Sequence, residues 1–273
     1  MSRILVCLAL AAMLTACAPS TQLESYVSVC GNPNASPRDV VNMCQRALGT
    51  GKLGPTSAAQ VRTNLGIGYF ELGQYDEAVA EYTRALETAP NMIDPYINRA
   101  RAYEKLRRLS EAGADYDAAL RIDPSSPEVY QSRGVMLLAN GDPGRAITDF
   151  DRAISLAPGQ HSNYFNRGLA HLRVGDYQRA EQDFSTVIRR EPSDAGAFMN
   201  RGRARAALGR PDAVDDFDMA LEIEPDWGGG FFARGRFHDA SGNRESANTD
   251  FLRAYELGYS DPWLNRRVRE ISG

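Results

Sequence analysis

The sequence predicts an all-α protein built from tandem helical hairpins, and three periodicities carry that prediction. Aromatic residues recur at a fixed interval: Tyr96, Tyr130 and Tyr164 stand 34 apart, Phe198 continues the series, and Phe231 follows after 33. Small residues keep two further phases. Gly66, Gly134, Gly168, Gly202 and Gly235 share one, with Ala100 in the remaining slot; Ala78, Ala112, Ala146, Ala180, Ala213 and Ala247 share the other. Finally, Pro90, Pro124, Pro158, Pro192 and Pro225 close successive units. A fixed period of about 20–50 residues marks a repeat architecture in which each repeat is one supersecondary unit.

Within a repeat, positions 4, 8 and 11 fall on one helix face, as do 20, 24 and 27. Position 24 is Tyr82, Tyr116, Phe150, Phe184, Phe217 and Phe251. Gly73, Gly141, Gly175, Gly209 and Gly242 stand where the first helix must turn. The closing proline lacks an N–H and stops the second helix. The small residue at position 8 is read as the closest approach of the two helices, opposite the alanine at position 20. Helix propensity lost at that glycine, about 1 kcal/mol against alanine, is offset by packing.

This pattern of aromatic, small residue, tyrosine, glycine turn, alanine, aromatic, alanine and proline resembles the tetratricopeptide repeat family. The resemblance implies a right-handed superhelical solenoid of about six helix-turn-helix units, starting near residues 59, 93, 127, 161, 195 and 228 and ending near 259. Some repeats depart from the family pattern. Repeat one has Arg62 at the first aromatic slot, repeat two has Arg107 in place of the turn glycine, repeat five is one residue short around Arg210-Pro211, and repeat six ends in Gly258-Tyr259. These mark edges or local kinks. Residues 36–48, SPRDVVNMCQRAL, read as the second helix of a degenerate leading hairpin within a segment 17–58. Residues 260–273 hold a capping helix whose Trp263, Leu264 and Val268 cover the last repeat, as terminal caps must.

The chain begins with one basic residue, Arg3, and an apolar run from Ile4 to Leu14. That run is shorter than the roughly 20 residues a bilayer span needs and reads as a secretory signal peptide; a buried first helix is the other reading. Leu14-Thr15-Ala16-Cys17 resembles the lipobox of bacterial lipoproteins. The resemblance implies cleavage after residue 16, lipidation (palmitate) of Cys17 and, with Ala18 following, the Gram-negative outer membrane on its periplasmic face. Membrane contact would be through the lipid only. Of four cysteines, Cys7 then leaves and Cys17 carries lipid, so Cys30 and Cys44 remain as a pair in an oxidising compartment. Two free buried cysteines are the alternative.

Charge and chemistry narrow the function. The balance is 31 basic against 35 acidic residues, mixed along the chain, with no basic block suited to nucleic acid. No nucleophile–base set and no phosphate loop is legible, and the three histidines are not grouped as metal ligands. The expectation is therefore no enzyme, no cofactor and no metal. His171 and His238 sit at position 11, a tyrosine slot in the family, and are read as packed and hydrogen-bonded.

The family resemblance further implies that positions 2, 5, 6, 9, 12 and 13 of the first helices line a concave, peptide-binding groove. The positions are Asn64, Phe70, Ile97, Asn98, Arg101, Leu138, Phe165, Asn166, Leu169, Arg173, Met199, Asn200, Arg203, Phe232 and Arg236. Exposed contiguous apolar surface marks an interaction site; the other reading is a superhelix tight enough for these residues to touch one another. Position 6 is asparagine in four of the six repeats, Asn64, Asn98, Asn166 and Asn200. An amide that donates and accepts can pair a peptide backbone, as some family members do. Position 7 is Arg99, Arg133, Arg167, Arg201 and Arg234, and each has an aspartate before its second-helix aromatic: Asp115, Asp149, Asp183, Asp216 and Asp250. These predict a ladder of structural ion pairs. The expected function is an adaptor for protein or peptide ligands that scaffolds cell-wall hydrolases or proteases. An assembly lipoprotein for a pilus or secretion complex is the alternative, a small-ligand binder or enzyme a third, and a homodimer is left open.

Overall fold

The computed structural model describes residues 22–272, so the signal segment and Cys17 lie outside the described residues. The described residues hold fifteen α-helices and no strand. The chain divides after Val129 into two compact blocks. The first holds α1 (Gln22–Cys30), α2 (Pro37–Gly49), α3 (Pro55–Glu71), α4 (Tyr75–Thr88), α5 (Ile93–Lys105) and α6 (Leu109–Ile122). Helix α7 (Pro127–Ala139) begins at the division. The second block continues with α8 (Pro143–Leu156), α9 (His161–Val174), α10 (Tyr177–Arg190), α11 (Ala195–Ala207), α12 (Ala213–Ile223), α13 (Gly228–Ala240), α14 (Arg244–Glu256) and α15 (Pro262–Ser272).

Each block is a stack of hairpins in which sequential helices pack and first helices meet: α3 touches α5, α9 touches α11, and α11 touches α13. The predicted repeat starts coincide with helix starts at residues 93, 127, 161, 195 and 228. Helix α3 instead starts at Pro55, before residue 59, because a proline at the first helical position loses no hydrogen bond.

The second-helix aromatics form the core of each hairpin. Tyr82, Tyr116, Phe150, Phe184, Phe217 and Phe251 are all buried to within 1%. The position-8 glycine faces this ring, and in repeat five Gly202 also meets the position-20 alanine, Ala213, through its carbonyl. A Cβ at Gly168 would fall 2.9 Å from the Phe184 ring, and one at Gly134 would fall 2.8 Å from Phe150. The ring therefore abuts bare first-helix backbone, which corrects the helix-against-alanine expectation everywhere but in repeat five, where Gly202 also meets Ala213 O. In the second block, Asp142 and Asp176 cap α8 and α10 through side-chain acceptance from Arg145 N and Arg179 N.

Both ends are closed as terminal repeats require. At the leading hairpin, Cys30 at the end of α1 is bridged to Cys44 in α2. The bridge packs with Val41, Ala47, Val61 and Leu65. The free-cysteine alternative is thus replaced. At the other end, Asp261 Oδ1 accepts from Trp263 N and Leu264 N and starts α15. Leu264 is fully buried, Val268 is buried, and Trp263 meets Phe251 edge-on at 5.1 Å.

The turn after each first helix needs a left-handed residue. The turn glycines take φ between 72° at Gly209 and 82° at Gly141 and Gly242. Repeat two forces Arg107 into the same conformation, at φ 61°. A Cβ there costs about 1–2 kcal/mol, and Arg107 is exposed, with no packing to offset it. Arg107→Gly is expected to raise unfolding free energy by about 1 kcal/mol in chemical denaturation; an unchanged or lower value would contradict the strain. Gly168→Val is expected to destabilise by about 3 kcal/mol through clash with the Phe184 ring. Adding Phe184→Leu should recover part of that loss if the ring is what the valine meets.

Candidate functional site

Position 7 explains how the first helices are held. Arg167 Nε and Nη2 donate to Asp183 Oδ2 and Oδ1 at 2.9 and 2.7 Å, a two-pronged contact across its own hairpin. The same geometry joins Arg99 to Asp115, Arg133 to Asp149, Arg201 to Asp216 and Arg234 to Asp250. The remaining Nη1 reaches back to the preceding hairpin in several repeats. Arg167 donates to Asp151 and Arg234 to Asp218, while Arg99 and Arg201 use the hydroxyls of Thr83 and Ser185. Each of those acceptors sits one residue after a core aromatic. In repeat one, where Leu65 replaces the arginine, Arg62 Nη1 donates to Glu81 at 2.9 Å. The aspartate raises the pKa of Arg99, Arg167 and Arg234 above the ordinary arginine value, chiefly by hydrogen bonding. The ladder is structural, so these charges are not offered to a ligand.

The predicted groove residues separate into three groups. Met199, Leu138 and Asn200 are not open surface. Met199 is 1% exposed and packs with Phe198 and Phe217, and Leu138 is buried as well. Asn200 turns back on its own helix: Nδ2 donates to Gly196 O at 2.8 Å, and Oδ1 accepts from Arg203 at 3.4 Å. Its amide is consumed internally, so the asparagine series is not a uniform ladder.

A second group is half-buried and partly engaged. Asn64 Oδ1 accepts from Gln60 at 3.4 Å and faces a narrow crevice against Asn32, Pro33 and Val40 of the leading hairpin. Phe70 meets Tyr75 edge-on at 5.3 Å, and Phe165 and Leu169 pack against the Phe184 cluster. Arg101 acts electrostatically on Tyr82, Tyr116 and Glu104, while Arg173, which is exposed, donates from Nη1 to Leu138 O at 3.2 Å. Ile97 is half-buried on the same face. Asn98 and Asn166 are half-buried too, with no hydrogen bond to their side-chain amides among the described residues.

The third group is concentrated. Arg203, Phe232 and Arg236 line one cleft of about 700 Å³ in the second block, between α11 and α13. Ala206, Phe217, Ala233, Phe237 and Tyr259 complete its apolar wall, and Gly209, Arg210 and Pro211 form a rim. Its origin is legible in the shortened repeat five. Helices α4, α6, α8, α10 and α14 start three residues before the position-20 alanine, whereas α12 starts at that alanine, Ala213. The first turn of that second helix is missing, and the cleft opens beside it.

Tyr259 meets Phe232 at 5.0 Å, and the guanidinium of Arg236 lies 4.6 Å over Trp263. Arg203 is exposed over much of its side chain, and the partial desolvation where it meets the cleft lowers its pKa below the ordinary arginine value. The cleft lining contains no carboxylate. Arg210 is bridged to Glu181 at 2.5 Å, but Arg203 and Arg236 have no ion pair among the described residues. Phe237, Tyr259 and the stacking of Trp263 on Arg236 are additions to the sequence reading. The signal that could have located the cleft was the residue missing near Arg210-Pro211.

His171 is packed, at 4% exposure, but its Nδ1 has no hydrogen-bond partner; the nearest carboxylate, Asp176, is 4.0 Å away. The hydrogen bond expected at that nitrogen is absent: Asp176 Oδ1 accepts from Arg179 N, and the Oδ2 that faces His171 lies nearer Arg179 Nε, at 3.5 Å. Desolvation lowers the His171 pKa, outweighing the opposing pull of Asp183 and Asp176.

This geometry defines a helical-repeat binding scaffold. Residues 63–127, 97–161 and 165–226 match the tetratricopeptide repeat family, more than half of the chain, and the protein belongs to that family. No curated protein matches the chain. It is similar to a solved tetratricopeptide repeat protein from Parabacteroides merdae, at 21% identity and TM-score 0.65, covering 90% of this chain and 97% of that one. PilW, described as a widely conserved type IV pilus biogenesis factor, matches at 21% identity and TM-score 0.66, over 77% of this chain and 98% of its own. YrrB, described as having an unusual peptide-binding site, matches at 22% identity and TM-score 0.58, over 69% and 97%. At these identities the likeness is one of fold.

The lowered His171 pKa sets a sign. Above the unfolded value of about 6.5 both states are neutral. As pH falls below it the unfolded chain takes the proton first, and stability is lost down to the folded pKa. Between pH 7.5 and 5.0 the wild type is expected to lose more thermal stability than His171→Leu, which borrows the residue at the same position in repeat three, Leu137. Equal losses would show that His171 does not contribute.

Proposed function

We propose that the protein is a non-enzymatic adaptor, tethered by lipid on Cys17 to the periplasmic face of the outer membrane, that binds proteins or peptides with its first-helix face. Repeat proteins of this class support protein–protein interaction, and the observation that carries the reading here is the cleft between α11 and α13. It is apolar, it is walled by aromatics, and its two unpaired arginines are left over from a ladder that satisfies their neighbours. A small number of placed polar groups in an apolar cleft is what a recognition site needs. The partners we assign are cell-wall hydrolases or proteases, which an adaptor on a membrane could hold near their substrate.

The second reading is an assembly lipoprotein for a pilus or secretion complex. The fold likeness to PilW supports keeping it beside the first. The two share the anchor and differ in partner.

Two measurements test this. Palmitate labelling in cells is expected for the wild type and lost in Cys17→Ser; labelling that survives contradicts the anchor. Crosslinking in intact cells, followed by purification of the full chain, is expected to recover a cell-wall hydrolase or protease. Recovery of a pilus or secretion component would move the assignment to the second reading. No crosslinked partner in either class would contradict the adaptor role. In the same experiment Asn98→Ala with Asn166→Ala should weaken recovery if their free amides pair a ligand backbone.

A further inference from the structure

The cleft between α11 and α13 carries a more specific statement than peptide binding. Arg203 and Arg236 occupy the same repeat position on successive first helices that touch one another. Packed helices lie about 8–10 Å apart, and a chain in the extended polyproline II conformation makes three residues per turn at about 3.1 Å each. Two carboxylates three residues apart on such a segment lie on one face, about 9 Å apart, and would therefore match the separation of the two helices. The same lining carries Phe232, Ala233, Ala206 and Phe237. That apolar lining suits apolar side chains between the two acids.

We infer that this cleft binds an extended acidic segment of a partner protein, with carboxylates at i and i+3 held by Arg203 and Arg236 over an apolar centre. Charge complementarity selects the occupant. The lining holds three arginines and no acid, and only Arg210 is already neutralised, by Glu181. A guanidinium donates two parallel hydrogen bonds to a carboxylate, and Arg203 and Arg236 are both exposed, so an incoming acid can reach them. Stacking on Trp263 at 4.6 Å holds the Arg236 head in place without using its donors. The cleft volume, about 700 Å³, accommodates a few residues of peptide. This rests on the adaptor reading for its biological meaning, but its test does not.

The probe is a set of end-blocked peptides, acetyl-Ser-Asp-X-X-Asp-Ser-amide, with the central pair drawn from Phe, Leu, Trp and Tyr. Binding to the mature chain, residues 17–273 carrying Cys17→Ser so that it is soluble without lipid, is measured by calorimetry at two salt concentrations. The expected result is binding by members of the set that weakens with salt, and by about tenfold when both Asp are replaced by Asn. Arg203→Gln with Arg236→Gln should cause a similar loss, Arg236→Lys a smaller one, and Arg203→Glu with Arg236→Glu should favour the set rebuilt with Lys for Asp. Each variant is checked by its thermal unfolding. Because the Asp-to-Asn comparison uses the wild-type protein, it decides the matter even if a variant fails to fold. Equal binding of Asp and Asn sets, or no binding by any member, overturns the inference. So does concentration-dependent dimerisation abolished by the Arg203→Gln/Arg236→Gln pair, which would give the cleft to a second copy of the chain. Crosslinked partners that persist in that variant would leave the adaptor reading standing and remove only this one.

Discussion

The two-pronged contact between the position-7 arginine and the aspartate beside the core aromatic is the interaction on which the hairpins depend. It fixes the first helix against the second within a repeat. In several repeats its third nitrogen also reaches the preceding hairpin, as Arg167 does to Asp151 and Arg234 to Asp218. One side chain thus sets hairpin closure and stacking distance together. The aspartates are buried, Asp183 at 4% and Asp216 at 2%, so leaving either partner alone would strand a charge in the core. The net worth of such a pair against an apolar replacement is small; what it adds is register.

That register is what lets the glycine seat work. With the helices held at one height, the ring of Phe184 falls on the bare backbone at Gly168, and the pattern repeats down the block. It also explains the cleft. Repeat five keeps its arginine, Arg201, paired to Asp216, and its ring, Phe217, seated at Gly202. It gives up only the first turn of its second helix, and the cleft opens without loosening the ladder.

Most of the fold was legible in the sequence because a 34-residue period leaves few architectures to choose from. The arginine–aspartate pairing was legible from covarying positions within one chain, and the Cys30–Cys44 bridge from the shortage of other partners. What the glycine faces was not, since period alone does not say whether a ring or a methyl fills a gap. The site was legible only in part. Position numbers place Met199 and Asn200 on the same face as Arg203, yet Met199 is drawn into the core beside Phe217, and Asn200 satisfies itself on Gly196 O. Position along a helix fixes direction. Depth depends on the neighbouring helix, and in repeat five that neighbour is shortened.

The central claim is that each arginine–aspartate pair acts as one unit in holding its hairpin. A double-mutant cycle with Arg167→Gln and Asp183→Asn, read by chemical denaturation, measures this directly. The account expects each single change to destabilise by about 3 kcal/mol and the pair to be coupled by about 2 kcal/mol. Single effects near zero, or effects that simply add, would contradict it.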